Sequence, residues 1–202
     1  MNVALRKPMT LQQFLAWEDQ QDLRYEFDSF QPRAMTGGTD AHSAIQANLI
    51  AALNVRLRGK RCRVRGSDLK IHVAGRIRYP DAFVFCTPVP PKTKVVTDPV
   101  IVFEVLSDST ASEDLVVKNA EYRATPSVRR YVVLQQDSAA AIVFSHKGED
   151  WVTELVSGNE AVLSLPEIDL EIRLADIYAD VEFERKPEVV AEAADGSSPG
   201  SQ

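Results

Sequence analysis

PVIVFEVLS, residues 99–107, is the most demanding segment of this chain. It is apolar enough for a strand buried on both faces, as inside a mixed sheet, yet it carries Glu104 at its middle. A lone carboxylate is costly to bury, so Glu104 calls for a cation, hydrogen-bond donors or a metal. Upstream, RYPDAFVF (78–85) places Pro80–Asp81 where a strand begins, and Asp81, Phe83 and Phe85 share one face at the strand period of two. Taken alone, Asp81 could simply start a strand or cap a turn. Downstream, TASEDLVVKNAEYRA (110–124) reads as a helix stopped by Pro126, with Ser107, Asp108 and Ser109 as capping candidates. Asp114, Lys118 and Tyr122 fall at i, i+4 and i+8 and line one helical face. Taken alone, a lysine on such a helix is usually solvated.

Working outward, RYVVLQQ (130–136) is a further buried strand, followed by a meander of AAIVFSH, WVTELVS and EAVLSL. EIDLEIRLADIYADV closes the fold with a short strand and one helical turn. On the other side, CRVRG, DLKIHVAG and IRYPDAFVFC read as strands, and TPVPPKTKVVTDP is a Pro-rich loop. AHSAIQANLIAALNVRLR carries Ile45, Leu49, Ala52 and Leu53 at helical spacing, with Thr39 and Asp40 as caps and Gly59 at its end. A first helix follows Thr10, whose partner Gln13 completes a capping box. The short segments YEF and FQPRAMT lie between these two helices. The order implies an α/β (α+β) domain over residues 1–183, one mixed central sheet flanked by helices. Residues 184–202 are rich in Glu, Ala, Ser, Gly and Pro and lack aromatics, the composition of a disordered tail.

The totals suit a soluble globular domain: 202 residues, 45% hydrophobic and 26% charged. No apolar run reaches the ~20 residues of a membrane helix. MNVALRKPMTLQQF lacks the apolar core of an export signal, so the cytoplasm is the expected compartment. Cys62 and Cys86 form no C-x-x-C pair and read as small core or strand residues, not as a disulfide framework. His42, His72 and His146 lack zinc-ligand spacing.

The net charge of −6 argues mildly against tight, non-specific nucleic-acid binding. Yet residues 56–78 carry +8, leaving −14 for the rest. Arg56, Arg58, Lys60, Arg61, Arg63 and Arg65 are either a solvated helix end with polar strand faces or a phosphate-facing patch.

Chemistry explains why the central residues belong together. Carboxylates on adjacent strands make a hard oxygen site for Mg²⁺ or Mn²⁺. Such an ion polarises a phosphate oxygen and lowers the pKa of a water, while a nearby lysine orients that water or stabilises developing charge.

These residues carry a resemblance. PDAFVF, PVIVFEVLSDST, the helix with Lys118 and Tyr122, and VRRYVVL resemble the Uma-type restriction-endonuclease-like proteins of the PD-(D/E)xK nuclease superfamily. TLQQFLAWED, RYEF and TDAHSAIQANLIAAL fit as well, so the match runs from about Thr10 to about Asp180. The resemblance implies a restriction-endonuclease-like fold and metal-dependent cleavage of DNA. It implies Asp81 and Glu104 as metal-binding acids, with the main-chain carbonyl of Val105 completing the shell. The superfamily's usual lysine position is here Leu106, and the Uma-type pattern draws its lysine from the following helix, at Lys118. Glu26 matches an acid that joins the metal shell in related nucleases, or it is a surface acid beside Arg24. His42 matches a family histidine that either contacts substrate or packs at a helix N-terminus. Asp114 and Tyr122 match residues that support Lys118.

Two departures stand out. Asp28-Ser29-Phe30 replaces the common Asp-Gly-Glu, and Gln135-Gln136-Asp137 replaces an Asp-Pro. A homodimer, formed through an edge strand or an exposed apolar side of the sheet, would face both strands of a duplex, an expectation resting on the family alone. The competing class is a nuclease fold that binds nucleic acid or a protein partner and cuts poorly or not at all. A serine hydrolase is disfavoured because no G-x-S-x-G occurs.

Overall fold

The computed structural model describes residues 8–35, 37–107 and 111–183. The expected tail and the capping candidates Asp108 and Ser109 lie outside these residues. The chain runs α1 (Leu11–Glu18), β1 (Tyr25–Phe27), β2 (Pro32–Ala34), α2 (Asp40–Leu57), β3 (Arg63–Gly66), β4 (Lys70–Val73), β5 (Arg76–Arg78), β6 (Ala82–Phe85), β7 (Val95–Val96) and β8 (Pro99–Val105). A π-helical segment, Glu113–Lys118, leads into α3 (Asn119–Arg123). The chain closes with β9 (Arg130–Leu134), β10 (Ala140–Lys147), β11 (Asp150–Ser157), β12 (Val162–Leu165), β13 (Leu170–Arg173) and α4 (Leu174–Ile177).

A mixed central sheet of six strands forms in the order β11-β10-β9-β8-β6-β3. Only β8 and β9 run parallel in it. The remaining strands do not join it. They build a five-stranded sheet, β2-β1-β5-β4-β7, and the pair β12-β13. The segment IRYPDAFVFC, read above as one strand, is divided between the two larger sheets: β5 belongs to the five-stranded one and β6 to the central one. Pro80 lies at the break, and its missing N–H is a physical reason for the ladder to stop there. The crossing leaves Asp81 at the seam between the sheets.

β8 shows why its sequence is apolar throughout. Ile101, Phe103 and Val105 pack into a core shared with α2, α4, β12 and β13. Val102 points the other way, into a core with Ile71, Phe83, Phe85, Tyr122 and Tyr131. By the strand period, Glu104 shares the face of Val102. A smaller core of Phe14, Phe27, Ile77 and Tyr79 holds α1 on the five-stranded sheet. There Glu18 is buried against both Lys70 and Tyr79.

Local signals behave as the residue chemistry requires. The Thr10–Gln13 capping box forms, and the Thr39 hydroxyl caps α2 by accepting from the His42 N–H. The turn at Asp28-Ser29-Phe30 is rebuilt without glycine. Ser29 adopts a positive φ of 73°, and the Asp28 side chain accepts from the N–H groups of Phe30 and Gln31. Gln136 replaces the absent Asp-Pro turn with a tie of its own, donating from Nε2 to the Leu106 carbonyl at 2.8 Å.

The expectation for the cysteines is overturned. Cys62 and Cys86 are bonded to each other and are not separate core thiols. The β3–β6 ladder pairs Arg63 with Phe85, so the next residues outward meet. The sequence does not display that register.

Phe103 is fully buried at the middle of the larger core. Phe103→Ala is expected to lower the unfolding free energy by about 3–5 kcal/mol, as measured by urea denaturation followed by circular dichroism.

Candidate active site

Glu104 is 4% exposed, and its burial is compensated. Its Oε1 accepts from Lys118 Nζ at 2.9 Å and from the Tyr122 hydroxyl at 2.9 Å. The lysine's second partner is Asp114 Oδ1, also at 2.9 Å. The i, i+4 pairing read from the sequence therefore exists, but on π-helical backbone rather than the α-helix expected. A π-helix turns about once in 4.4 residues, which keeps i and i+4 nearly aligned, and such segments recur at functional sites.

Asp81 stands beside this cluster. The β6–β8 ladder pairs Ala82 with Phe103, which sets Asp81 across from Glu104. Its Oδ2 accepts from the Val105 N–H at 2.7 Å and lies 3.2 Å from His42 Nε2. His42 reaches it from the first turn of α2, and Gly38 makes room for the ring. A Cβ at Gly38 would lie 2.9 Å from the imidazole. The hydrogen bond to Asp81 raises the His42 pKa above its ordinary value, against the opposing effect of burial. From the first turn of α2, His42 both contacts Asp81 and lines the cavity.

Glu26 faces the same cavity and is not paired with Arg24. It accepts from Arg78 Nη1 at 2.9 Å and from the Tyr79 N–H at 3.1 Å, while Arg24 pairs with Asp68. Arg78 is fully buried and makes a two-pronged bond to Glu121, at 2.7 and 2.6 Å. The sequence showed Arg78 only as the last cation of the basic stretch. Its signal was faint: a cation just before the Tyr79–Pro80–Asp81 break.

These side chains open on a cavity of about 970 Å³, whose walls include Glu26, His42, Asp81, Glu104, Val105, Asp114 and Lys118. Tyr122 is buried behind it. The cluster is electrostatically tense. Burial raises the Glu104 pKa to about 8, Lys118 opposes that, and Asp81, Asp114 and Glu26 add to it. Burial works against the Lys118 charge, but Glu104, Glu26 and Asp114 outweigh it and hold the ammonium above its ordinary pKa.

The donor set toward a metal is all oxygen: Asp81, Glu104, and Glu26 from the same wall. That chemistry suits Mg²⁺ or Mn²⁺. Among the described residues, no three His, Cys, Asp or Glu side chains form a ready cation cage. Mg²⁺ is ordinarily held by one or two carboxylates plus waters and substrate phosphate, so the residues present fit it on donor type.

The basic stretch lies elsewhere. Arg58, Lys60, Arg63 and Arg65 line a separate cavity of about 520 Å³ beside the disulfide. β3 runs from that cavity toward Ser67 in the first one. Arg56 does not belong with them, because it is paired with Asp176 at 2.7 Å. Arg61 donates to the Cys86 carbonyl, and Arg65 lies over the Phe85 ring.

An acid pair thus stands at a sheet seam, beside a buried lysine delivered by the following helix, on a mixed α+β fold. Comparison with known proteins identifies the family. The model of the Uma2 family, described as "Putative restriction endonuclease", matches residues 11–176, and the chain belongs to that family. It is 32% identical over 177 residues to "Uncharacterized protein slr1290" of Synechocystis, covering 85% of this chain and 92% of the relative. It is 27% identical over 171 residues to "Uncharacterized protein sll1609" of the same organism, covering 80% and 96%. Its fold is similar to the crystal structure of a putative nuclease belonging to DUF820 from Anabaena variabilis. That match has a TM-score of 0.69 and 20% identity, covering 85% of this chain and 98% of that one. No helix among the described residues is long and apolar enough to cross a membrane.

Folding raises the Glu104 pKa above its ordinary 4.5, so the folded state prefers the neutral acid. That contribution to stability is whole below about pH 4.5 and is lost as pH climbs through about 8. In metal-free buffer, the stability of Glu104→Gln relative to wild type is therefore expected to rise as pH climbs from 5 to 8. Thermal scans across pH measure this directly.

Proposed function

We propose that this protein is a divalent-metal-dependent nuclease that hydrolyses DNA phosphodiester bonds with water as the nucleophile. The observation that carries the reading is the buried contact between Lys118 Nζ and Glu104 Oε1 at 2.9 Å, on the wall of the cavity that also holds Asp81. Asp81 and Glu104 hold Mg²⁺ or Mn²⁺, with Glu26 and the Val105 carbonyl as further oxygen donors. When bound, the ion supplies Lewis-acid activation of phosphate and water.

The chain's own residues do the rest. Lys118, fixed by Glu104 and Asp114, keeps its charge at neutral pH and stabilises the charge growing on the phosphate oxygens. Tyr122 donates to Glu104 and fixes its rotamer. His42 braces Asp81 from the opposite wall. Arg58, Lys60, Arg61, Arg63 and Arg65 contact substrate phosphates away from the scissile bond.

A second reading draws on the spacing of the acids. With no three metal-capable side chains gathered among the described residues, the fold would bind nucleic acid or a protein partner and cut poorly or not at all. Titration with Mn²⁺ separates the two, because saturable binding lost in Asp81→Asn supports the nuclease.

The decisive assay is Mg²⁺- or Mn²⁺-dependent cleavage of plasmid and single-stranded DNA. Glu104→Ala is expected to abolish it, and Lys118→Ala to slow it by about 100-fold, the usual effect of removing one charge-stabilising donor. Equal cleavage by wild type and Glu104→Ala would remove the enzyme assignment. The triple change R58A/K60A/R63A is expected to weaken duplex binding in every sequence context. It should also flatten the salt dependence by about 0.9 per lost phosphate contact, measured by fluorescence anisotropy.

A further inference from the structure

The catalytic cavity is short of positive charge for a site that admits a polyanion. Its lining carries the acids Asp22, Glu26, Asp81, Glu104, Glu113 and Asp114. Against these stand Lys118, which is held by Glu104 and Asp114, and two arginines, Arg24 and Arg33. Arg24 points its guanidinium at Asp68, which is itself almost fully exposed and outside the lining. Arg33 is different. In the β1–β2 ladder it is paired with Glu26, and directly opposed residues in an antiparallel pair project to the same face. Arg33 is thus carried over the site by the hairpin that carries Glu26.

Its guanidinium rests on Glu113. A single nitrogen, Nη1, lies 2.6 Å from both carboxylate oxygens, and the side chain remains 50% exposed. Glu113 begins the π-helical segment that ends at Lys118, so the pair sits about one helical turn from the catalytic lysine. Glu113 has a second cation within 3.7 Å, the fully buried Arg78. If Arg33 leaves, Glu113 is not abandoned. A half-exposed ion pair of this kind contributes little to stability, so its partner can be exchanged. The planar fork of a guanidinium matches phosphate as well as it matches carboxylate.

We propose that Arg33 is the residue that clamps a substrate phosphate at the mouth of the site, and that Glu113 parks its guanidinium until nucleic acid displaces it. This rests on the nucleic-acid part of the reading above, not on hydrolysis. Release turns toward the substrate a positive charge that Glu113 otherwise engages. Glu113, left to Arg78, sets a threshold: an incoming backbone must outcompete a carboxylate for the same guanidinium.

The test measures binding without turnover. A fluorescein-labelled 20-base-pair duplex is titrated with wild type, R33A, R33K, E113Q and R33A/E113Q. Anisotropy is followed across salt, once in EDTA and once in Ca²⁺. R33A is expected to bind 5–10-fold more weakly, with a salt slope shallower by about 0.9. R33K is expected to recover part of the affinity, having the charge but not the fork. E113Q is expected to bind at least threefold more tightly, and this gain should vanish in the R33A background. A purely structural latch would behave otherwise: both single changes would lower the thermal midpoint and leave affinity alone. That result overturns the proposal, as does R33A binding like wild type. So does an E113Q gain of equal size with and without Arg33, which would mean bulk charge alone. Arg33-dependent binding by a protein that never cuts DNA leaves the clamp standing and removes only hydrolysis. No duplex binding by wild type in either buffer removes the clamp along with the nucleic-acid reading.

Discussion

Glu104 is a carboxylate that the central sheet has to accommodate within a strand that is otherwise apolar. Water cannot reach it freely, so the protein must bring it partners. Lys118 and Tyr122 are those partners, and both come from one stretch of helix. The position of that helix is then no longer free. It is pinned a second time by Glu121, one residue before Tyr122, which grips the buried Arg78 of the neighbouring sheet. Successive residues of α3 thereby bond to two different sheets. Pairs buried like these are weak sources of net stability, but losing one member leaves a charge stranded. They fix geometry more than they add free energy. Here the geometry fixed is the relation of β5 to β8, and with it the seam at which Asp81 emerges.

How much of this the sequence displayed depended on the range over which each feature is decided. Glu104 was legible because an acid within PVIVFEVL contradicts its own neighbours. Lys118 was legible as the middle of an i, i+4, i+8 row, although nothing local marked the backbone there as π-helical. The division of IRYPDAFVFC between sheets was announced by Pro80 but not taken up, since a strand period alone carries across a proline. The Cys62–Cys86 bond depends on the register of β3 against β6, which is a tertiary quantity. Arg56 looked like a member of a basic run and is claimed by Asp176, 120 residues further on. Arg33 gave no signal, because it acquires its neighbours only when a hairpin near the start of the chain folds over a helix 80 residues away.

Membership of the Uma2 family places the chain among proteins sharing a frame, and a frame hosts many chemistries. What is particular to this chain is how its charge is arranged. An acidic cavity holds the site, and a basic cavity without any lining carboxylate sits further along the same edge strand. A net negative charge is therefore compatible with contact to a polyanion, because the local field and not the total decides where the approach occurs.

The two margins of the central sheet are not equivalent. On one side β3 is only four residues long and presents Arg63 and Arg65. Short strands and charged side chains are how natural proteins discourage a further strand from adding. On the other side β11 runs for eight residues without proline and exposes Val152 and Leu155. Any lengthening of this sheet by an added strand, whether in self-association or in misfolding, thus has one permissive direction. It leads away from the margin that carries the arginines.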